Sequence, residues 1–91
     1  MNWITFDSDK SGEELARYLA PFVFPNYPVD DGVPFLEPEG RWWELSRGND
    51  HKLDLKGPGK FQYRDRYAPE ERMLRIEYAL SQFGVANIRR N

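Results

Sequence analysis

The spacing of hydrophobic positions changes several times along the chain, and each change marks an element. Trp3-Ile4-Thr5-Phe6 is short, aromatic and β-branched, which predicts a strand with Ile4 and Phe6 on one face. Asp7-Ser8-Asp9-Lys10 breaks it. Ser11, with Glu14 three residues on, has the spacing of a capping box, in which hydroxyl and carboxylate each take a backbone N–H left open at a helix start. Leu15, Tyr18, Leu19 and Phe22 then recur at i, i+3, i+4 and i+7, one apolar stripe of a helix. Pro21 has no N–H and disfavours helical geometry at Ala20, so the helix should stop near there.

The periodicity then lapses. Residues 21–40 hold five of the seven prolines, the acids Asp30, Asp31, Glu37 and Glu39, and no base. Val33-Pro34-Phe35-Leu36 can form a short edge strand, because proline cannot donate to a central ladder. A long connection without regular structure inside a compact domain is usually functional. From residue 41 a two-residue period takes over. Arg41 to Ser46 reads as a strand and Arg47-Gly48-Asn49-Asp50 as a turn. Lys52 to Lys56 alternates with Leu53 and Leu55 inward, Gly57-Pro58-Gly59 turns the chain, and Lys60 to Arg66 alternates with Phe61 and Tyr63 inward.

Ala68-Pro69-Glu70-Glu71 opens a second helix: proline suits a first turn, and the glutamates suit the positive end of the helix dipole. Met73, Ile76, Leu80 and Phe83 share one side, Glu71 and Arg75 are spaced to pair, and Gly84 is a natural stop. Val85 to Ile88 can form a last strand before Arg89-Arg90-Asn91. The predicted fold is α+β in the order β-α-β-β-β-α-β. A central three-strand antiparallel meander packs one face against both helices. The terminal strands either pair with each other or flank the meander.

Composition narrows the class. Ninety-one residues make a single globular domain, residues 1–91, with a modest core. Apolar residues are 40% of the chain and aromatics 15%, too many for a disordered segment. There is no cysteine, which excludes disulfides, thiolate metal sites and cysteine nucleophiles, and His51 is the one histidine. The longest apolar run, residues 19–24, is far short of the ~20 residues that span a bilayer. The N-terminus has no signal-peptide pattern, so a cytoplasmic location is expected. The net charge of −2 hides an asymmetry. Residues 1–40 carry eight acids and two bases, and residues 41–91 carry seven acids and eleven bases. Such a polarised chain can steer a charged partner.

Most candidate chemistry fails on spacing. Asp7, Asp9, Ser11 and Gly12 match the opening of a calcium loop, but its last position, which needs a bidentate glutamate, is Tyr18. No metal site is expected. Gly57-Pro58-Gly59-Lys60 resembles part of a phosphate loop, but Phe61 stands where a hydroxyl must hold magnesium. A hairpin turn accounts for it. His51 with Asp50 or Asp54 could do general acid–base work in a small nuclease, with Lys52 or Arg47 holding phosphate. An exposed turn histidine explains the same residues. No cofactor and no enzymatic activity are expected.

Two surfaces remain. Alternation sends Lys52, Lys56, Lys60, Gln62, Arg64 and Arg66 to the face opposite the leucines, with Trp42 or Trp43 beside them. Bases with an indole can grip phosphates and stack a nucleobase, which makes Lys52, Lys56, Lys60 and Arg64 a candidate nucleic-acid site. A face laced with Glu44, Asp54 and Asp65 would favour a protein partner instead. The proline-rich acidic stretch is the stronger candidate. Tyr27, Asp30, Asp31, Phe35, Glu37 and Glu39, with Trp42 just beyond, combine rings and carboxylates suited to a basic protein surface. The same rings can instead cover a sheet edge. The expected function is a non-enzymatic protein-binding module of a bacterium or phage. It would be of inhibitor or immunity type, neutralising a toxin or defence effector by occluding its surface.

Overall fold

The computed structural model describes residues 3–25, 35–36, 41–45 and 50–91. Strand β1 spans Trp3–Asp7, helix α1 Gly12–Val23, strand β2 Phe35–Leu36 and strand β3 Trp42–Glu44. Strand β4 spans His51–Gly57, β5 Lys60–Asp65, helix α2 Glu70–Ser81 and strand β6 Ala86–Arg90. Among the described residues the strands form one antiparallel sheet in the order β2-β3-β4-β5-β1-β6. This is the expected α+β arrangement, with two additions. Phe35–Leu36 supplies a short edge strand beside β3. The terminal strands do both things the sequence left open, because β1 inserts between β5 and β6. No described helix is long and apolar enough to cross a membrane.

Both helices cover one face of the sheet. Ile4 and Phe6 of β1, Trp43 of β3, Leu53 of β4 and Phe61 and Tyr63 of β5 are buried there. They meet Leu15, Ala16, Leu19 and Val23 of α1 and Met73, Ile76, Ala79 and Leu80 of α2. Of the two adjacent tryptophans, Trp43 is the core residue and Trp42 the half-buried one on the opposite face, as alternation requires. The Trp43 ring fills the space beside Gly12, the first residue of α1.

Helix α1 departs from expectation at its end. It runs through Pro21 to Val23, past the predicted stop at Ala20. The helix has a compensation for its last turn. Arg75 of α2 donates from Nε to the Phe22 carbonyl at 2.6 Å and from Nη2 to the Val23 carbonyl at 3.1 Å. It thus satisfies acceptors that a helix end otherwise leaves open. The buried stripe is also rotated from the predicted one, towards Gly12, Ala16, Ala20 and Val23. Tyr18 and Phe22 are half-buried along its border. Tyr18 stacks on Phe83 with centroids 3.7 Å apart and donates its hydroxyl to the Ala79 carbonyl at 2.7 Å, tying α1 to α2. At the other end, Ser11 Oγ accepts the Glu14 N–H at 3.1 Å, which is the hydroxyl half of the predicted capping box.

Helix α2 and the final strand follow the sequence pattern closely. Pro69 is the N-cap residue, and Glu71 and Arg75 pair at 3.8 Å. Phe83 lies beyond the helix, and Gly84 takes the left-handed conformation (φ 71°) that reverses the chain into β6. β6 begins at Ala86 and runs on to Arg90. Arg90 lies across from Ile4 and reaches over the helical side to Glu70, at 2.6 Å, and to Glu77.

Candidate functional site

The other face of the sheet is built from alternate residues of the same strands. The cross-strand registers put Trp42, Asp54, Gln62, Thr5 and Arg89 in one row across it. A second row runs Glu44, Lys52, Arg64 and Trp3, and Asp7 pairs with Lys60 beyond it. The helices lie on the opposite side, so among the described residues no element covers this surface. Its charges interlock. Arg64 Nε sits 2.6 Å from Asp54 Oδ2, Lys60 Nζ 3.5 Å from Asp7 Oδ1, and Lys52 Nζ 4.5 Å above the Trp42 ring centroid. Asn87 donates to Asp7 at 2.7 Å, and this bond, with Lys60 nearby, holds the Asp7 carboxyl below its usual range.

The bases Lys52, Lys60 and Arg64 therefore do share one face, with Lys56 exposed at the end of β4. That face is a mosaic and not a continuous positive sheet, because Glu44, Asp54 and Asp7 sit among them. Trp42 contributes its ring, partly covered by Lys52. Phe35 is placed at the sheet edge in β2, opposite Glu44 of β3. The remaining candidate residues of the acidic stretch, Tyr27, Asp30, Asp31, Glu37 and Glu39, lie outside the described residues, as do Arg47, Gly48 and Asn49 of the predicted turn at residues 47–50.

Two sequence-based placements need correction. Asp65 is not on the open face, and His51 is not an exposed turn residue. His51 begins β4, directly across from Asp65 at the end of β5, and both are buried against α2. Their parity shows why: 51, 53 and 55 share a face, as do 61, 63 and 65, so the leucines and rings carry the polar pair inward with them. The buried carboxylate is well supplied. Asp65 accepts the Tyr63 hydroxyl at 2.8 Å, Arg72 Nε at 2.6 Å and Nη2 at 2.9 Å, and the Tyr67 and Ala68 N–H groups at 3.1 and 2.9 Å. His51 Nε2 is 3.6 Å from the same carboxylate. Phe24, just past α1, meets the imidazole edge-on at 5.0 Å and lies 5.2 Å from the Arg72 guanidinium.

Electrostatics follow from this geometry. Burial alone would raise the Asp65 carboxyl, but Arg72, the Ala68 N–H and Tyr63 outweigh it and hold the pKa at about 2. Burial and the Asp65 charge together push the Tyr63 hydroxyl well above its usual range. His51 is lowered, chiefly by desolvation and secondarily by Arg72, against the pull of Asp65 and Asp50. A general base must reach a substrate. Here the imidazole and its carboxylate are 3% and 0% exposed, closed in where β4, β5 and α2 meet.

Sequence reasoning missed Trp3 on the open face and Arg72 and Phe24 in the buried cluster. Trp3 was legible from its parity with Thr5. Arg72 carried no local signal, because its partner lies on another element. Protein-family profiles, curated sequences and solved structures offer no match to this chain.

Proposed function

We propose that the chain is a non-enzymatic protein-binding module, of inhibitor or immunity type, that acts in the cytoplasm by covering the surface of another protein. The observation that carries this reading is the sheet face opposite the helices, which no element among the described residues covers. It presents two indoles, Trp3 and Trp42, among bases of which Lys60 and Arg64 are paired with acids and Lys52 with a ring. Aromatic anchors within a mixed polar rim suit a protein surface, whereas a nucleic-acid face needs cations free to meet phosphates. On this face Arg64 and Lys60 are already engaged by carboxylates, and the Trp42 ring is stacked by Lys52. The acids Asp30, Asp31, Glu37 and Glu39 flank β2 in the sequence and give the module a means of attracting a basic partner. The lone imidazole is buried, which favours this reading over a nuclease site built on His51.

The test is comparative capture. Wild-type protein, Trp42→Ala and the double reversal Asp30→Lys/Asp31→Lys are immobilised and exposed to extract of the source cells, and retained material is identified by mass spectrometry. A protein held by the wild type and lost with Trp42→Ala is expected. Against the purified partner, the charge reversal should act mainly on the association rate. Material that disappears on nuclease treatment, and whose retention falls steeply as salt rises, would move the assignment to nucleic-acid binding through Lys52, Lys56, Lys60 and Arg64.

A further inference from the structure

Strand β6 is an open end of the sheet: among the described residues β1 pairs with one side of it and nothing pairs with the other. The pairing fixes which backbone groups are left over. Trp3 and Asn91 exchange both of their bonds, so Thr5 and Arg89 form the next hydrogen-bonded pair and Ile4 and Arg90 the non-bonded one between them. The Arg90 N–H and C=O and the Ile88 carbonyl therefore point away from the sheet. Four of the five strand residues are exposed and Ile88 is half-buried. We propose that this edge takes an extended segment of a partner protein as an added antiparallel strand, and that the segment carries a carboxylate between two apolar residues. Main-chain bonds supply the attachment and alternate side chains the choice.

The side chains around the edge select that pattern. On the open face Arg89 is exposed, and among the described residues its side chain has no hydrogen bond or ion pair; its influence on Asp7 acts through space. The residue of an incoming strand opposite Arg89 shares that face, so a carboxylate there meets an available cation. On the helix side the charges are already matched, since Arg90 holds Glu70 and Glu77. Glu70, Leu74 and Glu77 recur at i, i+4 and i+7 along one ridge of α2, and the contacts to Arg90 place that ridge beside β6. Leu74 is 53% exposed between the two carboxylates. Leu74 and Ile88 thus offer apolar contact to the residues opposite Arg90 and Ile88, and an acid on this side would be repelled by Glu70 and Glu77. A second copy of the chain fits poorly. Pairing through Arg90 and Ile88 would set Arg89 against Arg89, or Arg90 against Arg90, and like charges directly opposite are unfavourable. The remaining register runs into the bulge at Asn87, whose φ is 56°. Arginines and a bulge guard an edge against indiscriminate pairing, and the arginine that repels its own copy attracts an acidic strand. The site lies at the far end of the sheet from Phe35 and Trp42 and does not depend on what the open face binds.

The experiment titrates the whole chain, isotope-labelled, with the capped peptide Thr-Val-Asp-Val-Thr and follows amide signals and hydrogen exchange by NMR. In an extended peptide the valines share one face and the aspartate takes the other. The signals of residues 88–91 should shift saturably, and exchange of the Arg90 amide should slow in proportion to occupancy. Lysine in place of the aspartate should weaken binding at least threefold, because one exposed ion pair is lost and a repulsion gained. Methylation of both valine nitrogens removes the donors to the Arg90 and Ile88 carbonyls and should abolish binding. Arg89→Glu should reverse the preference, so that the lysine peptide binds the better. No shift at Arg90 at millimolar peptide, equal affinity for the aspartate and lysine peptides, unimpaired binding of the methylated peptide, or shifts centred on Lys52 and Arg64 would each overturn the proposal. So would a dimer in sedimentation equilibrium whose Arg90 amide is protected without peptide, which would assign the edge to a second copy.

Discussion

Gly12 is where α1 meets the sheet most closely, and Gly12→Ala tests the packing argument directly. A methyl group there would stand 1.8 Å from Trp43 Cη2 and 2.3 and 2.4 Å from Cζ3 and Cζ2. Ordinary carbon contacts begin near 3.4 Å, so ring or helix must give by about 1.6 Å. Trp43 is 4% exposed, and its flat ring cannot fold aside as a long aliphatic chain would. Overpacking of this kind costs about 1–3 kcal/mol. In a helix, alanine is preferred to glycine by about 1 kcal/mol, and less in the first turn, where backbone groups are open in any case. The clash therefore wins, and we expect a net loss of about 1–2 kcal/mol, or roughly 4–16 °C in Tm for a domain of this size. Urea unfolding followed by circular dichroism measures it. Trp43→Leu should make room, so Gly12→Ala should cost clearly less in that background than in the wild type. A Gly12→Ala protein as stable as the wild type, or additive effects in the double variant, would refute the close approach of α1 to β3.

Other outcomes follow from the polar contacts. Asp65→Ala removes the partner of a buried guanidinium and should cost about 3–5 kcal/mol in the same unfolding assay, a large part of the stability of a small domain. Arg72→Met should cost less than Asp65→Ala in that assay, because Asp65 keeps three of its five donors. Tyr18→Phe keeps the stack on Phe83 but loses the bond to the Ala79 carbonyl, a loss of about 1 kcal/mol measurable by denaturant titration. Acid should destabilise the fold in two windows. His51 is lowered from 6.5 in the folded state, so its contribution is present above that pH and is lost as pH falls below it. Asp65 is held at about 2 against an ordinary 3.8, so its contribution, about 2 kcal/mol, is lost as pH falls from near 4 towards 2. Denaturant midpoints at pH 7, 5 and 3 check both; a midpoint that rises on acidification would contradict the assignment.

Local signals made much of the architecture legible. Ser11 at its cap, Pro69 at a helix start, Gly84 past a helix end and the alternation through Leu53, Phe61 and Tyr63 each act over a few residues. Their consequences can therefore be read without the rest of the chain. The same alternation also placed His51 and Asp65 inward. Reading them as turn and surface residues weighed residue type above parity. A polar residue at an inward position is unfavourable only until a partner is known, and here the partner is Arg72 on another element. Pro21 teaches the same lesson: the helix continues past this local breaker to Val23, where Arg75, 53 residues after Phe22, supplies donors to the helix end.

The amino-acid sequence by itself determined the element order, the α+β class and the helix-facing residues of the central strands, because cap chemistry and side-chain period are properties of neighbouring residues. Only the tertiary structure decided that β1 lies between β5 and β6, that Trp43 is the buried one of the tryptophan pair, and that His51, Asp65 and Arg72 meet under Phe24. Each of these depends on contacts between elements far apart in the chain. The free energy that selects among such arrangements comes from burying both helices on one sheet face together, which no single segment can express alone.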